Sequence, residues 1–443
     1  MKDKGIRTFL IMWFGQLVSI IGTTMTRFAL IIWAYQKTGS ATTLALMGFF
    51  AFGSTVLASP LAGGWVDQWD RRKVLMVSDT LMGLVSIGIL VLYTAEQLQI
   101  WHLYIAEILV GGLEAFYRPV YSTAITVLVP EKFYTRANGM RSLSMSISDV
   151  IGPVFAGALL AVIDIGGIML IDVGTFLFAV SLMLFIRIPN PEEDDDSETE
   201  QGFWRKFVSG LRYIRNHEGL MGLLVVMLVI NLFAALTWFA VMPAMVLARS
   251  GNDEVALATV QAAMGIGGII GSLLISIWGG PKRRIHNVLA ATGISFLLGD
   301  LLFGVGRTVV VWSVGGFLGS LFIPFIVAGN MALWQSHVPL KIQGRVFAAQ
   351  TAIRTATMPI GYLLGGLLAD YLFEPSMAAG GVFADQLHWL VGGGPGAGMG
   401  LMFVFTGLFG SAVGWGGYLV RGLRTIDDNL EPELVEVPAF VST

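Results

Sequence analysis

The sequence predicts an all-α polytopic membrane protein in which twelve transmembrane helices form two pseudo-symmetric six-helix bundles. Three observations predict this fold class. Charged residues make up only 13% of the 443-residue chain and hydrophobic residues 55%, whereas charged residues average about 25% of soluble domains. Long apolar runs recur along the whole chain, and the second half repeats a pattern of residues found in the first half.

The composition also limits the class of function. The mean hydropathy of +0.73 indicates that most of the surface faces lipid. A net charge of −3 provides no basic surface for nucleic acid, and a chain without cysteine has no disulfides or thiolate metal ligands. The first residues lead into an apolar run without a small-residue cleavage site, which predicts a retained first helix and not a signal peptide.

Twelve apolar runs are long enough to cross a bilayer, which takes about 20 residues in a helix. These predicted spans cover 8–35, 42–66, 74–95, 101–128, 139–163, 167–188, 219–247, 255–279, 286–306, 309–335, 346–372 and 398–422. Outside the spans, Lys and Arg collect on one side of the membrane, except for Lys37, Arg249 and Arg307. Because basic loops stay in the cytoplasm, both termini are expected to be cytoplasmic.

An acidic segment divides the spans into two groups of six. Residues 189–201 are too rich in charge to pack, and they predict a solvated linker. After this linker, Phe203, Phe207, Leu211 and Ile214 recur at helical spacing among basic residues, which predicts an amphipathic helix on the membrane surface. The expected organisation is an N-terminal bundle over 1–188, a cytoplasmic linker with this helix over 189–218, a C-terminal bundle over 219–423 and a cytoplasmic tail over 424–443.

The two groups of six share a repeated pattern. Val129-Pro130-Glu131-Lys132 is echoed by Val338-Pro339-Leu340-Lys341. At the same offset, Arg136, Gly152 and Gly157 are matched by Arg345, Gly361 and Gly366. Parallel repeats of this kind occur in transporters whose substrate site lies between the two halves near the bilayer midplane.

A dense polar turn joins the second and third spans. Gly63, Asp67 and Arg71 recur at intervals of four residues, and Arg72 follows at once. This pattern resembles the loop between the second and third helices of major facilitator superfamily transporters. The Asp-Arg-Arg at 70–72 is similar to the macrolide- and siderophore-exporter branch of the drug:proton antiporters. An ordinary basic loop on the cytoplasmic side is the alternative interpretation.

The resemblance extends along nearly the whole chain, although two residues in the turn depart from the family pattern. Gln68 stands where the family usually has Arg, and Asp70 where it often has Gly. The similarity is strongest in this turn, in the first outer loop at 33–41 and in the two Val-Pro loops. By resemblance, a cytoplasmic gating loop is expected to involve Gly63, Asp67, Arg71, Arg72, Arg136 and Arg345.

The resemblance implies a secondary active transporter that works by alternating access. It would export amphiphilic small molecules, such as drugs or siderophores, in exchange for protons. The implied partners are this substrate, protons and the lipid bilayer, and the implied state is a monomer in the cytoplasmic (inner) membrane of a bacterium. No cofactor is implied.

Charged residues inside the predicted spans are the candidates for coupling and binding, because an ionised side chain at mid-membrane costs about 2.5–3.5 kcal/mol. In the fourth span, Glu107, Glu114 and Arg118 share one helical face. Glu114 and Arg118 form a favourable i, i+4 pair, whereas Glu107 has no basic neighbour in sequence, which suits a proton carrier. Either Glu107 or Glu114 could carry the proton, and the alternative is a buried acid that only orients helices. Proton-coupled members of the family typically have Arg at the position of Glu107, so a family role does not transfer there directly.

Two further candidates lie in the first and fifth spans. Arg27 could meet Glu107 or Glu114 across a cavity, or extend to the outer headgroups. Asp149 lies midway along the fifth span, before Gly152, Pro153 and Gly157. That motif resembles the fifth-helix motif of antiporters, and Pro153 predicts a kink because it removes a backbone donor.

The second half offers fewer candidates. In the seventh span, Asn231 could donate hydrogen bonds and Trp238 could provide a stacking face for a substrate. Two other carboxylates, Asp172 in the sixth span and Asp300 in the ninth, are expected at membrane interfaces.

Two other classes of function remain open from the sequence. A lipid or lysophospholipid flippase would share the fold. A membrane-embedded enzyme or a sensor belongs to a different class. No catalytic constellation and no metal-ligand spacing in the sequence supports an enzyme. The histidines all fall near predicted interfaces: His102, His217, His286, His337 and His388.

Overall fold

The computed structural model describes residues 2–65, 70–130, 134–186, 203–278, 280–281 and 283–429. These residues form helices and contain no strand, so the predicted all-α fold class is confirmed. In the first half, the helices are α1 (Lys2–Thr38), α2 (Ala41–Trp65), α3 (Arg71–Thr94), α4 (Ile100–Leu128) and α5 (Tyr134–Leu184).

The second half begins with the amphipathic helix α6 (Phe203–Arg215). It continues with α7 (Glu218–Ala234), α8 (Met242–Ser250), α9 (Glu254–Trp278), α10 (Ile285–Ile294), α11 (Leu301–Val305), α12 (Val309–His337), α13 (Leu340–Leu368), α14 (Glu374–Met377), α15 (Ala384–Val391), α16 (Ala397–Gly416) and α17 (Arg421–Arg424). Three π-helical segments, Ala235–Phe239, Ser295–Asp300 and Ala369–Phe373, join α7 to α8, α10 to α11 and α13 to α14.

Ten helical stretches of the described chain are long and apolar enough to cross a membrane. One of them, Leu143–Leu184, contains a break at Asp164, where the backbone has φ 60° and ψ 173°, and it is long enough for two crossings. The 29-residue helix α4 packs against α2 and α3. The structure is therefore consistent with the twelve predicted spans.

The helices pack into two halves that meet along two helix pairs. Within the first half, α1 packs along α5 and α2 along α4. Within the second half, α9 packs along α12 and α10 against α16. Between the halves, α2 lies along α13 and α5 along α9.

The apolar core shows that the halves meet mainly towards one membrane face. We call the face where α1 begins the near face and the face where α1 ends the far face. Towards the far face, one cluster of buried side chains includes both halves, for example Ile32 and Ala45 with Met245 and Leu257. Towards the near face, the described buried side chains form two separate clusters, one in each half. The halves are thus joined at the far face and separate towards the near face.

A glycine allows this approach of the two halves. A Cβ atom at Gly157 of α5 would lie 2.8 Å from the Cβ atom of Ala258 in α9. Real carbon atoms do not pack so closely, so a larger residue would push α5 away from α9.

We predict that Gly157→Val separates the halves at the far face, because overpacking of a close contact costs about 1–3 kcal/mol. Spin labels at Lys37→Cys in α1 and Val255→Cys in α9 report the distance between the halves, and the cysteine-free chain makes both labels specific. The distance is expected to increase in Gly157→Val. Gly174→Val is the control, because no atom outside its own turn of helix lies within 4 Å of a Cβ at that position. Equal distances in the two variants would contradict the prediction.

Candidate functional site

A cavity of about 550 Å³ lies between the two halves. Both halves contribute to its wall, through α1, α2, α4 and α5 on one side and α9, α12, α13 and the π-helical segment Ala235–Phe239 on the other. Among the described residues that line it, the charged ones are Arg27, Glu107 and Asp149, all from the first half. The remaining wall is mostly apolar, which suits the hydrophobic body of an organic molecule.

Arg27 and Glu107 form a loose ion pair in this cavity. Their nearest atoms, Nη2 and Oε2, are 3.8 Å apart. The Arg27 side chain is 50% exposed and the Glu107 side chain 15% exposed, so the pair faces the open space of the cavity. The sequence allowed Arg27 either to meet an acid of the fourth span or to extend to the outer headgroups. In the structure it lies beside Glu107 of α4. A pair that is partly exposed and not in direct contact is easily exchanged for other partners.

The charged face of α4 divides into two parts. Glu107 lines the cavity, whereas Glu114 and Arg118 pair with each other, with Oε2 and Nη2 2.7 Å apart. Both members of this second pair are well exposed, and neither is among the cavity-lining residues. The local pair therefore leaves Glu107 as the acidic group of α4 at the cavity.

The Gly-Pro motif of α5 connects the cavity with both halves. Asp149 and Pro153 line the cavity. A Cβ at Gly152 would lie 2.6 Å from Cγ2 of Thr24, so this glycine brings α5 close to α1. Gly157, one turn beyond, approaches the other half at Ala258. The backbone keeps helical geometry at Pro153 and leaves it at Asp164.

The two candidates from the seventh span have different surroundings. Trp238 lines the cavity, and its indole Nε1 donates a hydrogen bond of 2.8 Å to Oδ1 of Asp300. Asn231 donates to the carbonyl of Met227 in its own helix at 2.7 Å, and it is not among the described lining residues. The first-half charges thus face an aromatic side chain of the second half.

An aromatic layer that the sequence did not reveal lies at the far end of the cavity. Tyr362 of α13 is buried, stacks on Phe52 of α2 with ring centroids 5.6 Å apart, and lies 6.1 Å from the ring of Phe239. Tyr362 packs directly on Gly48, which has no side chain to obstruct it. Every predicted span contains at least one aromatic residue, so no local signal distinguishes these three.

The far face carries a polar connection between the halves. Asp370, in the π-helical segment Ala369–Phe373, accepts hydrogen bonds from Oγ of Ser40 at 2.5 Å and from the backbone N–H groups of Ala41 and Thr42 at 3.1 and 2.8 Å. Its carboxylate therefore caps the N-terminus of α2, where a negative charge is favoured by the helix dipole. The sequence analysis missed this role, because the cap and its helix are far apart in the chain.

The predicted gating turn is described in part. Asp70 is the N-cap of α3, and its Oδ1 accepts from the N–H of Lys73 at 2.9 Å. Arg72 donates from Nη2 to the carbonyl of Leu184 at 2.7 Å. Asp67 lies outside the described residues. Of the other predicted gating residues, Gly63 lies in α2 and Arg71 begins α3, while Arg136 and Arg345 lie in α5 and α13 with side chains outside the described part.

Two carboxylates expected at membrane interfaces are buried within the halves, so that expectation was wrong. Asp172 and Asp300 are each 1% exposed. Asp172 accepts from Oγ1 of Thr23 at 3.1 Å, and Asp300 accepts from Trp238 and from Oγ1 of Thr406 at 2.8 Å. Neighbouring helices supply these donors, so position along a span does not indicate burial.

Known proteins similar to this chain belong to a class in which a cavity between two helical halves is expected. A family model described as Major Facilitator Superfamily matches residues 12–362. Macrolide efflux protein A of Streptococcus pyogenes is 28% identical over 371 residues, covering 82% of this chain and 89% of that protein. Multidrug efflux pump Tap of Mycolicibacterium fortuitum is 25% identical over 369 residues, with the same coverage.

Solved structures share the fold at low sequence identity. A bacterial homolog of the human lysosomal transporter Spinster, in an inward-facing and unoccupied conformation, matches with a TM-score of 0.71 and 15% identity over 98% of this chain and 100% of that chain. A bacterial homologue of the iron transporter ferroportin, in an inward-facing state, matches with a TM-score of 0.64 and 16% identity, covering 93% and 98%.

We predict a weak energetic coupling between Arg27 and Glu107. A double-mutant cycle with Arg27→Gln and Glu107→Gln, measured on the free energy of unfolding, should give less than about 1 kcal/mol, because the two charges are 3.8 Å apart and the Arg27 side chain is half exposed. The Glu114–Arg118 pair is the reference, with an expected coupling of about 0.3–0.5 kcal/mol. A penalty of about 3–5 kcal/mol for removing either charge of the Arg27 pair would instead mark a buried structural pair.

Proposed function

The chain belongs to the major facilitator superfamily of transporters, and from this premise we propose that it exports amphiphilic small molecules in exchange for protons. The observation that carries the proposal is the central cavity, where three charged side chains stand in a mostly apolar wall. Such a wall holds the apolar part of a substrate, while Glu107 and Asp149 provide carboxylates for a proton or a cationic group. The relatives named as macrolide and multidrug efflux pumps support an export function of this kind.

We also propose that the near face is cytoplasmic, so that both termini lie inside the cell. The supporting observation is the concentration of Lys and Arg in the loops of this face. With this orientation, the halves separate towards the cytoplasm and join on the outside. The cavity then receives its substrate from the cytoplasm, and the conformation is inward-facing, like those of the two solved structures above.

Export requires the cavity to open towards the far face. Three features oppose that opening in this conformation: the close approach at Gly157, the aromatic layer around Tyr362 and the cap formed by Asp370. Each joins one half to the other, so all three must separate together. The N-terminal bundle (1–188) and the C-terminal bundle (219–423) are the moving bodies in this proposal, within a monomer.

In this proposal, proton coupling depends on which cavity carboxylate Arg27 pairs with. Arg27 lies 3.8 Å from Glu107, and Asp149 lines the same cavity. When a proton neutralises Glu107, the attraction to Arg27 is lost, and the guanidinium is free to turn towards Asp149 or the cavity. One proton moving down a 100 mV potential supplies about 2.3 kcal/mol, which the exchange can use to drive export.

We predict that Glu107→Gln abolishes gradient-driven export without abolishing binding. In liposomes with an imposed proton gradient, the wild-type protein should concentrate a macrolide on the far-face side. At 100 mV and one proton per substrate, uncoupling should lower the concentration ratio by about 50-fold. Substrate affinity, measured by equilibrium binding, should be retained because the apolar wall is unchanged.

Glu114→Gln is the matched control, because Glu114 is an acid of the same helix outside the cavity. It should export normally. If substrate flux through the wild-type protein did not depend on the proton gradient, proton exchange would be contradicted. Transport of lipid in preference to drugs would favour a flippase.

We predict that Asp370→Asn weakens closure of the far face by about 0.5–1 kcal/mol, because it removes a negative charge from the N-terminus of α2. Spin labels at positions 37 and 255 should then show a larger population at long distance. Asp385→Asn is the control, since Asp385 is an exposed acid of α15 on the same face. An unchanged distance distribution in Asp370→Asn would show that the cap does not contribute to closure.

A further inference from the structure

The cavity function described above does not use Asp300, although this carboxylate is one of the most deeply buried acids of the chain. It ends the π-helical segment Ser295–Asp300 and is 1% exposed. Its two oxygens have different partners: Oδ1 accepts from the indole of Trp238 and Oδ2 from the hydroxyl of Thr406, both at 2.8 Å. Both donors are neutral.

The elements packed around Asp300 are also free of charge. Its segment packs against α10, α11, α12 and α16, and none of these helices carries Asp, Glu, Lys or Arg. Their titratable groups are His286 and His337 at the near face, which bond to the hydroxyl of Tyr418 and the carbonyl of Ile426. An ionised carboxylate in a neutral, buried environment is costly, and such groups avoid the cost by binding a proton.

Thr406 allows Asp300 to hold a proton without losing a hydrogen bond. Its Oγ1 lies 2.8 Å from Oδ2 of Asp300 and 3.2 Å from the carbonyl oxygens of both Met402 and Phe403. When Asp300 is ionised, the hydroxyl donates to Oδ2. When Oδ2 carries a proton, that O–H donates to Thr406, whose own hydrogen turns to a backbone carbonyl. Both states are fully bonded, as a reversible proton site requires.

Trp238 connects this carboxylate with the cavity. Its ring lines the cavity and packs against Phe303 and Phe403, with ring centroids 4.9 and 5.2 Å apart. Gly319 leaves room for the ring, since a Cβ there would lie 3.2 Å from it. Trp238 and Asp300 both belong to π-helical segments, which are frequent at functional sites.

We propose that Asp300 is a second proton-binding site, located in the second half, and that its proton controls the Trp238 wall of the cavity. The step is the transfer of one proton from water to Oδ2, with no other covalent bond made or broken, while the Thr406 hydroxyl turns from Oδ2 to a backbone carbonyl. A charged acceptor binds an N–H more strongly than a neutral one, so protonation loosens the anchor of Trp238. Asp300 is thus a positioning residue for Trp238, and proton uptake weakens the wall that holds the substrate. The control of transport rests on the proposed function, whereas proton binding does not.

Infrared difference spectroscopy on the full chain in lipid membranes tests proton binding without any substrate. The wild-type protein should show the carbonyl stretch of a protonated carboxylic acid that disappears as pH rises. Since Glu107 and Asp172 can contribute to the same region, the wild-type minus Asp300→Asn difference isolates the Asp300 component. That component should titrate over a shifted pH range in Trp238→Phe, which loses the donor to Oδ1. A spectrum of Asp300→Asn that equals the wild-type spectrum at every pH would overturn the proposal.

Tryptophan fluorescence tests the connection to the cavity. The wild-type emission should change over the pH range in which the infrared band titrates, and this change should be lost in both Trp238→Phe and Asp300→Asn. Trp312→Phe is the matched control, because Trp312 is buried in the same half and donates to the carbonyl of Gly306 instead. Asp172→Asn controls for the loss of a buried carboxyl in the other half. A pH-dependent change that persists in Asp300→Asn would overturn control of Trp238 by Asp300.

The outcomes separate this proposal from the proposed function. If the band and the fluorescence change behave as expected but no compound is exported, the export function fails and the proton site stands. If a macrolide is exported under a gradient with an unchanged pH profile in Asp300→Asn, the export function stands and the second proton site plays no part in it.

Discussion

A charged side chain inside the bilayer must face water, a counter-ion or hydrogen-bond donors, and this constraint organises the whole structure. Arg27, Glu107 and Asp149 satisfy it by lining a cavity between the halves. Asp300 satisfies it within one half, through Trp238 and Thr406. The charges of the first half thus lie at the cavity, and Asp300 of the second half lies behind its wall.

The two halves share a repeat in sequence but contribute different polar groups to the cavity and its surroundings. The first half contributes the charged wall of the cavity, and the second contributes aromatic groups with a buried acid behind them. Trp238 stands at the boundary of these two environments, because one side of its ring faces the cavity and its N–H binds Asp300. The two proton sites that we propose, Glu107 and Asp300, would therefore act on the same cavity from opposite walls.

Small residues and one carboxylate hold the far face together. Gly48 and Gly157 let side chains of the opposite half approach the helix backbone, and Asp370 adds a charge at the N-terminus of α2. Such contacts combine close packing with a directional interaction, so they form at one relative position of the halves and are lost when the halves rotate. Towards the near face, the described cores stay separate.

The sequence alone determined the all-α membrane fold, the family resemblance and the candidate charges, because span length, mean hydropathy and motif spacing are local properties of the chain. It also singled out Glu107 as an acid without a basic neighbour in sequence. It did not reveal the Asp370 cap, the Tyr362 layer or the burial of Asp300. Each of these depends on groups from distant helices, and only the tertiary structure decided which donors and rings meet them.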